Sequence, residues 1–579
     1  SLDTGVNNTV MGYQALYTAG VGSNNVAMGV FSLYYNTSGD DNTAIGYETL
    51  KDNTTGGQNV ALGRRALQNN TTASFNTALG YQSLDANTVG HSNVAVGTNA
   101  LLSNTEGLYN IAVGRNSLDA NTDGDYNTAV GYNTLSASIS AGNNTAFGYN
   151  ALAVTTTGAN NVAIGSRALD ANTEGGSNVA VGYSALSANT TAGNNVAVGF
   201  ETLKLNTTGT NNTALGYQAL EANTVGHSNV AVGTNALIAN ISGGYNVAVG
   251  ALSLDANTTA SYNTAVGYGT LTTNTTGISN VAVGRNSLLL NTVGYSNVAV
   301  GVSSLGANVG GIKNTALGAS ALLLNTSGNT NVAVGYDVLK ANTEGTNNVA
   351  MGYNSLAVNT TGDSNVAIGA LALDANTTAS DNTAVGYSAL GANTDGFNNT
   401  AVGRDAGGAV TTGDNNSFLG HDAGITGSPG GAITTANNQM CLGDENIANA
   451  HIQVDWTVAS DKRDKTEVTP LVMGLDFINK LEPVTYRWDK RSKYSKDQDV
   501  TPDGTHKEAQ LDVGFLAQDV EVLEKEYGFN FEDKTNLTTN ISDDEKMYGL
   551  KYSKFVPALV KAVQELTAKV KELEGKLND

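Results

Sequence analysis

Few residue types in this 579-residue chain could do chemistry, and most of those recur at one fixed interval. Asparagine opens a motif close to Asn-[Thr/Val]-Ala-[Val/Leu/Ile/Met]-Gly, which returns every 17 residues from Asn8 to Asn416, 25 copies without an insertion. A row of Asn amides could ligate a sugar or an ion. Binding does not require every copy, however, and amides hydrogen-bonding along a stacking axis explain the invariance better. Tyrosine follows the motif glycine in many copies (Tyr13, Tyr47, Tyr81, Tyr132 and onward). Such a stripe could stack on sugar rings or, more simply, on itself. Threonines at positions 2 and 13 form rows that an ice-binding surface would use, but Val alternates with Thr at position 2 and spoils the array. Glycosidase chemistry needs two placed carboxylates, and no acidic pair on extra loops breaks the repeat. Cys441 is the single cysteine, which excludes an internal disulfide framework. Outside the repeat, Ser460-Asp461-Lys462-Arg463-Asp464-Lys465 gathers a hydroxyl, amines and carboxylates; taken alone, it is an ordinary cap or turn.

So strict an interval does not belong to a globular core, where loops drift in length. It predicts a solenoid of one coil per repeat, mostly β, a rod with its function along it or at its end. Alternation in segments such as NVAVG (93–97) predicts a short strand. Glycine holds position 5 in all 25 copies, Gly12 to Gly420, as at a corner of positive φ or crowded backbone. Leucine holds position 9 in the first 23 copies, Leu16 to Leu390, an interior ladder to which position 4 is expected to add a second. The Asn87-Thr88-Val89-Gly90 run reads as the return turn. With strands about 4.8 Å apart, 25 coils would make a rod of roughly 120 Å. A coil this small cannot enclose a large dry core, so several chains are expected to lie side by side. The NVAVG-type segments resemble head repeats of trimeric bacterial adhesins, which implies parallel left-handed β-rolls and a homotrimer.

Charge divides the chain. Residues 1–459 carry 10 Lys+Arg against 27 Asp+Glu, and residues 460–579 carry 19 against 24. The expected organisation is a solenoid shaft over 1–424, a degenerate last repeat and junction over 425–459, and a small α+β domain over 460–579. Position 9 turns to Gly407 and Gly424, a five-residue insertion is expected near 425–435, and NQMCLG (438–443) reads as a last copy. A weakly acidic shaft disfavours nucleic acid, and no apolar run approaches a membrane span. No cofactor or metal is expected. The chain begins at Ser1 beside its first motif, so an anchoring segment or virion part is expected N-terminal to it.

The last 120 residues carry the most specific signal. The Ser-Asp-x-Arg-x-Lys opening at 460–465, the strand LEPVTYRW (481–488), the segment GFLAQDV (514–520) and the closing KYSKFVPALV (551–560) occur in that order. This region resembles the intramolecular chaperone domain of phage tail spikes and fibres, known from endosialidases and classed as peptidase family S74. The resemblance implies self-cleavage at Ala459–Ser460, with Ser460 as nucleophile, Lys465 as base, and lesser roles for Asp461 and Gln518. It implies a virion tail fibre, or alternatively a bacterial surface protein, which binds a host-cell glycan or protein receptor. A tailspike depolymerase and an ice- or surface-binding solenoid are the other function classes. Independently of the family, the helix expected over 551–577 spaces Val556, Leu559, Val563, Leu566, Val570, Leu573 and Leu577 alternately three and four apart. That is a heptad seam, and in this setting it predicts a trimeric coiled coil.

Overall fold

The computed structural model describes residues 5–578 except 19, 21, 429, 448, 454–456, 496–499 and 543–544. In residues 5–319 each repeat is one coil. A three-residue strand at positions 2–4 pairs in parallel with the strand of the next coil, residue i against i+17, as in Val94↔Ile111 and Ala95↔Ala112. Nineteen such strands run from Thr9–Met11 to Thr315–Leu317. The rest of each coil is turn, yet its backbone also bonds coil to coil: the Leu84 N–H donates to Ala100 O at 3.0 Å.

The corner glycine is required twice over. Gly97 has φ +135°, and a Cβ there would lie 2.5 Å from the Gly114 carbonyl oxygen of the next coil. Three other residues per coil are left-handed without being glycine, as in Ser92 (φ 60°), Asn99 (φ 59°) and Leu101 (φ 51°). Position 9 therefore takes Leu, whose branching lies beyond Cβ; a β-branched residue would clash in this region.

Alternation decides what lies inside, and it corrects one expectation. Asn93 and Ala95 are fully buried, with Leu101 behind them, while Val94 and Val96 face outward. Position 4 is thus an outer ladder; the narrow coil admits only Ala from the strand and takes its bulk from Leu at position 9. Two buried Asn rows complete the interior. At position 1, Asn76 Oδ1 accepts the Asn93 backbone N–H (2.9 Å) and the Asn93 amide donates to Gly107 O (2.8 Å). At position 12, Asn87 Nδ2 donates to Asn70 Oδ1 and to Gly90 O, both at 2.9 Å. The position-12 row, read in the sequence only as a turn, carries the more regular amide-to-amide ladder; at position 1 such bonds form in some coils, as from Asn59 Nδ2 to Asn42 Oδ1 (3.0 Å). Position 13 adds a hydroxyl row, Thr88 Oγ1 donating to Thr105 O at 3.1 Å.

Residues 320–443 build the same coil, with seven strands from Val332–Val334 to Met440–Leu442. The last pairing, Ser417↔Met440, spans 23 residues, so the insertion is six residues and not five. Phe418 replaces the strand alanine and is buried, and it explains the lost leucines: a Cβ on Gly407 would lie 2.7 Å from its ring, and one on Gly424 would strike the same ring. One large side chain from the strand does the work of two Leu from the opposite wall.

The C-terminal region contains helix α1 (Leu475–Lys480), helix α2 (Ala517–Glu526) and helix α3 (Phe555–Asn578). Strand Val484–Tyr486 pairs antiparallel with Asp512–Gly514, and Thr539–Ile541 with Tyr548–Leu550. A 3-10 turn, Tyr552–Lys554, precedes α3, which begins four residues later than expected. Met473, Phe477, Val520, Leu523, Phe555 and Ala558 form the small core. Glu524 is buried and accepts from Thr538 Oγ1 at 2.7 Å and from the Leu537 N–H at 3.1 Å, tying α2 to the second hairpin.

Candidate functional site

Ser460 and Lys465 meet because the chain between them turns. Asp461 caps a 3-10 turn, Lys462–Asp464, accepting the Arg463 N–H at 2.9 Å, and the Lys465 N–H closes it on Lys462 O. The turn brings Lys465 Nζ to 2.6 Å from Ser460 Oγ. Arg463 also grips Asp461 through its guanidinium (Nη2–Oδ2 2.6 Å), and that bond holds the Asp461 carboxyl below the usual carboxylate range. Asp461 thus shapes the turn. Ala459, Ser460 and Lys465 are all exposed. Gln518 lies exposed in the first turn of α2, and its side chain makes no hydrogen bond among the described residues.

The α3 seam has a definite place. Phe555, Ala558 and Ala562 form the buried face of α3, and Glu565 accepts the Leu475 N–H at 2.8 Å at the start of α1. The Val/Leu seam belongs to another face: all seven residues are exposed, from 45% at Val570 to 84% at Leu577. α3 packs on its own region through Phe555 and two alanines and leaves the Val/Leu seam in solvent.

Along the coils, the tyrosine stripe stacks on itself where aromatic residues fall in consecutive coils. Tyr132 and Tyr149 lie 5.6 Å apart and 7° from parallel, and Phe200 stacks on Tyr183 and Tyr217. A second ladder, unforeseen in the sequence, runs at position 17, as in Tyr109–Tyr126 (5.2 Å) and Tyr245–Tyr262 (5.2 Å). Ring faces engaged in these pairs are not open to sugars, whereas Tyr268 and Tyr387 are exposed and have no ring partner among the described residues. The position-13 hydroxyls are likewise directed along the stack, which leaves the ice-binding alternative without its second row.

One polar cluster was not legible in the sequence. His421 Nδ1 and oxygens of Asp422 and Asp444 lie within 4.8 Å of one another, a set able to ligate a cation. The 23-residue pairing step brings 421 beside 444. Burial pushes the Asp444 carboxyl up, but two bonds from Asn446 (both 2.9 Å) and the His421 ring outweigh it and hold it low. Its oxygens are already occupied by those donors.

Residues 460–528 match the model of the family described as chaperone of endosialidase, Peptidase_S74. The match takes in the Ser460–Lys465 turn, the LEPVTYRW strand and the GFLAQDV segment, and stops before α3. No curated protein and no solved structure matches the chain. The chain is thus built of parallel β-solenoid coils of 17 residues, followed by a C-terminal region whose residues 460–528 match the chaperone-of-endosialidase family model.

Proposed function

We propose that this protein is the shaft of a homotrimeric tail fibre for host attachment, folded by a C-terminal chaperone that then cuts itself away. The single observation carrying the reading is the exposed Val/Leu seam of α3. The outer face of the coils supports it. Positions 2 and 4 of the nineteen strands in residues 9–317 hold 30 apolar residues and eight Thr, and none is charged. Parallel sheets are ordinarily covered on both faces. A three-residue strand is about 10 Å long and strands lie about 4.8 Å apart. Nineteen therefore offer roughly 900 Å², against about 800 Å² per partner in a standard interface. A second copy of the chain matches that spacing at every coil.

In the cleavage reaction, Ser460 Oγ attacks the Ala459 carbonyl carbon and Lys465 takes the hydroxyl proton. The C–N bond breaks as the amide nitrogen gains a proton, leaving an ester, which water hydrolyses to the Ala459 carboxylate and the Ser460 hydroxyl. A lysine base must be neutral, and burial is one way to favour that form. Ser460 and Lys465 are exposed in the single chain, so partner chains must close over them. Cleavage then follows assembly. Near-identical coils make a one-repeat slip cheap, and long-range parallel pairing is slow, so a C-terminal trimer that sets register before the cut is the economical order of events.

On denaturing gels the wild type should resolve into residues 1–459 and a fragment starting at Ser460. Ser460→Ala and Lys465→Ala should remain full length and still trimerise. Cleavage persisting in Ser460→Ala rules out the nucleophile, and a monomeric wild type rules out the assembly.

A further inference from the structure

Two lysines of the C-terminal region reach back to the last coil. Lys490 Nζ donates to the Glu445 carbonyl oxygen, and Lys493 Nζ to Asn446 Oδ1 at 2.7 Å. Both sides of the contact are held in place. On one, Lys490 pairs with Glu508 (3.3 Å), the Glu508 N–H bonds to Trp488 O (2.8 Å), and Tyr494 donates to Asp489 (3.0 Å). On the other, Asn446 donates twice to the buried Asp444, which His421 Nδ1 approaches at 3.2 Å.

The two halves lie on opposite sides of the Ala459–Ser460 bond. Cutting that bond severs the exposed connection and leaves this contact whole. We propose that the Lys490/Lys493 contact on the 444–446 turn is a clasp that keeps the 460–579 fragment on the last coil after the cut, so that cleavage and release are separate events. The inference rests on the self-cleavage reading. In a trimer three clasps act together, and release of any one fragment is slowed by the other two.

The test scores cut and release separately, the first by denaturing gel and the second by native size-exclusion chromatography over time. Wild-type pieces should co-elute. Lys490→Ala/Lys493→Ala should cut equally well and shed the fragment about tenfold faster or more, since both charge-assisted bonds to the turn are lost. Asn446→Leu, which leaves the fragment's own sequence intact, should do the same, and Lys571→Ala, an exposed lysine on α3, should not. If the chain does not cut itself, the same measurement is made on Ser460→Ala with a site-specific protease sequence in place of residues 450–453. A fragment that leaves wild type at once, or is held equally long by both clasp variants, overturns the clasp.

Discussion

Leu237 in the coils and Leu566 in α3 are the same side chain in opposite situations: the first is fully buried and the second is 49% exposed. The contrast holds region by region. The coils largely satisfy themselves: strands pair at a 17-residue step up to Ser417, Asn rows bond coil to coil, and Leu fills the interior from Leu16 to Leu390. The C-terminal region has a small core and leaves Leu511, Val513, Leu516 and the α3 seam in solvent. A coil nonetheless cannot stand alone. Three non-glycine residues in most coils are held at positive φ, as at Ser92, Asn99 and Leu101, a strain tolerated only when the surroundings over-determine it. Under the proposed function the coils form on a template, and the seam exposed in the C-terminal region is what would build it.

The sharpest break of this contrast is at the corner glycine. Gly97→Val places a Cβ 2.5 Å from a backbone oxygen at φ +135°. Strain and overpacking together should cost about 2–6 kcal/mol per chain, toward the upper end because backbone cannot yield as a side chain does. Limited proteolysis should find the shaft opened around that coil. A protease-resistant variant would mean that coils tolerate far more than their geometry implies.

The leucines themselves give the next largest effect. Leu237→Ala should destabilise the shaft by about 2–5 kcal/mol with no change in the fragment. Leu566→Ala should alter the fold of an isolated chain by no more than about 0.5 kcal/mol, as for an exposed position, but weaken chain association. Thermal melts paired with sedimentation separate the two effects. Equal loss of stability from both would erase the distinction between interior ladder and seam.

The period, the strand, the glycine corner and the Leu ladder were legible because a repeat prints each structural demand many times over. What the strand turned inward was not. Ala95 is buried and Val96 is not, the reverse of what hydrophobicity suggests, because coil width rather than side-chain polarity sets the inner size limit. Asn87 read as a turn residue because a single sequence shows what a residue follows, not what lies one coil away. In the C-terminal region the Ser460–Lys465 approach was legible through its motif. The clasp and the His421 cluster were not, since each joins residues brought together only by folding.

The smallest effect sets six partly buried aspartates of the coils against three carboxyls of the C-terminal region. Burial raises the carboxyls of Asp52, Asp85, Asp119, Asp170, Asp255 and Asp374 in the coils. Asp119 Oδ1 and Asp255 Oδ1 are buried without a hydrogen-bond partner among the described residues. A raised carboxyl binds its proton more tightly folded than unfolded, so its stabilising contribution is complete below the unfolded value and fades as pH rises through the folded one. In the C-terminal region the carboxyls of Asp461, Asp476 and Glu565 are lowered, by Arg463, by Tyr527 with Lys480, and by the Leu475 N–H with Lys561. Their contribution is present above the unfolded value and lost as pH falls through the folded one. Acidification from neutrality toward about pH 4, the ordinary carboxylate range, should raise the melting temperature of the shaft, and further acidification should lower that of the fragment. Relief of the shaft's own negative charge adds to the first effect. Asp119→Asn/Asp255→Asn separates the two contributions: it should stabilise the shaft at neutral pH and flatten its pH dependence. A shaft and fragment that soften together on acidification would show that burial of these aspartates does not govern the coils.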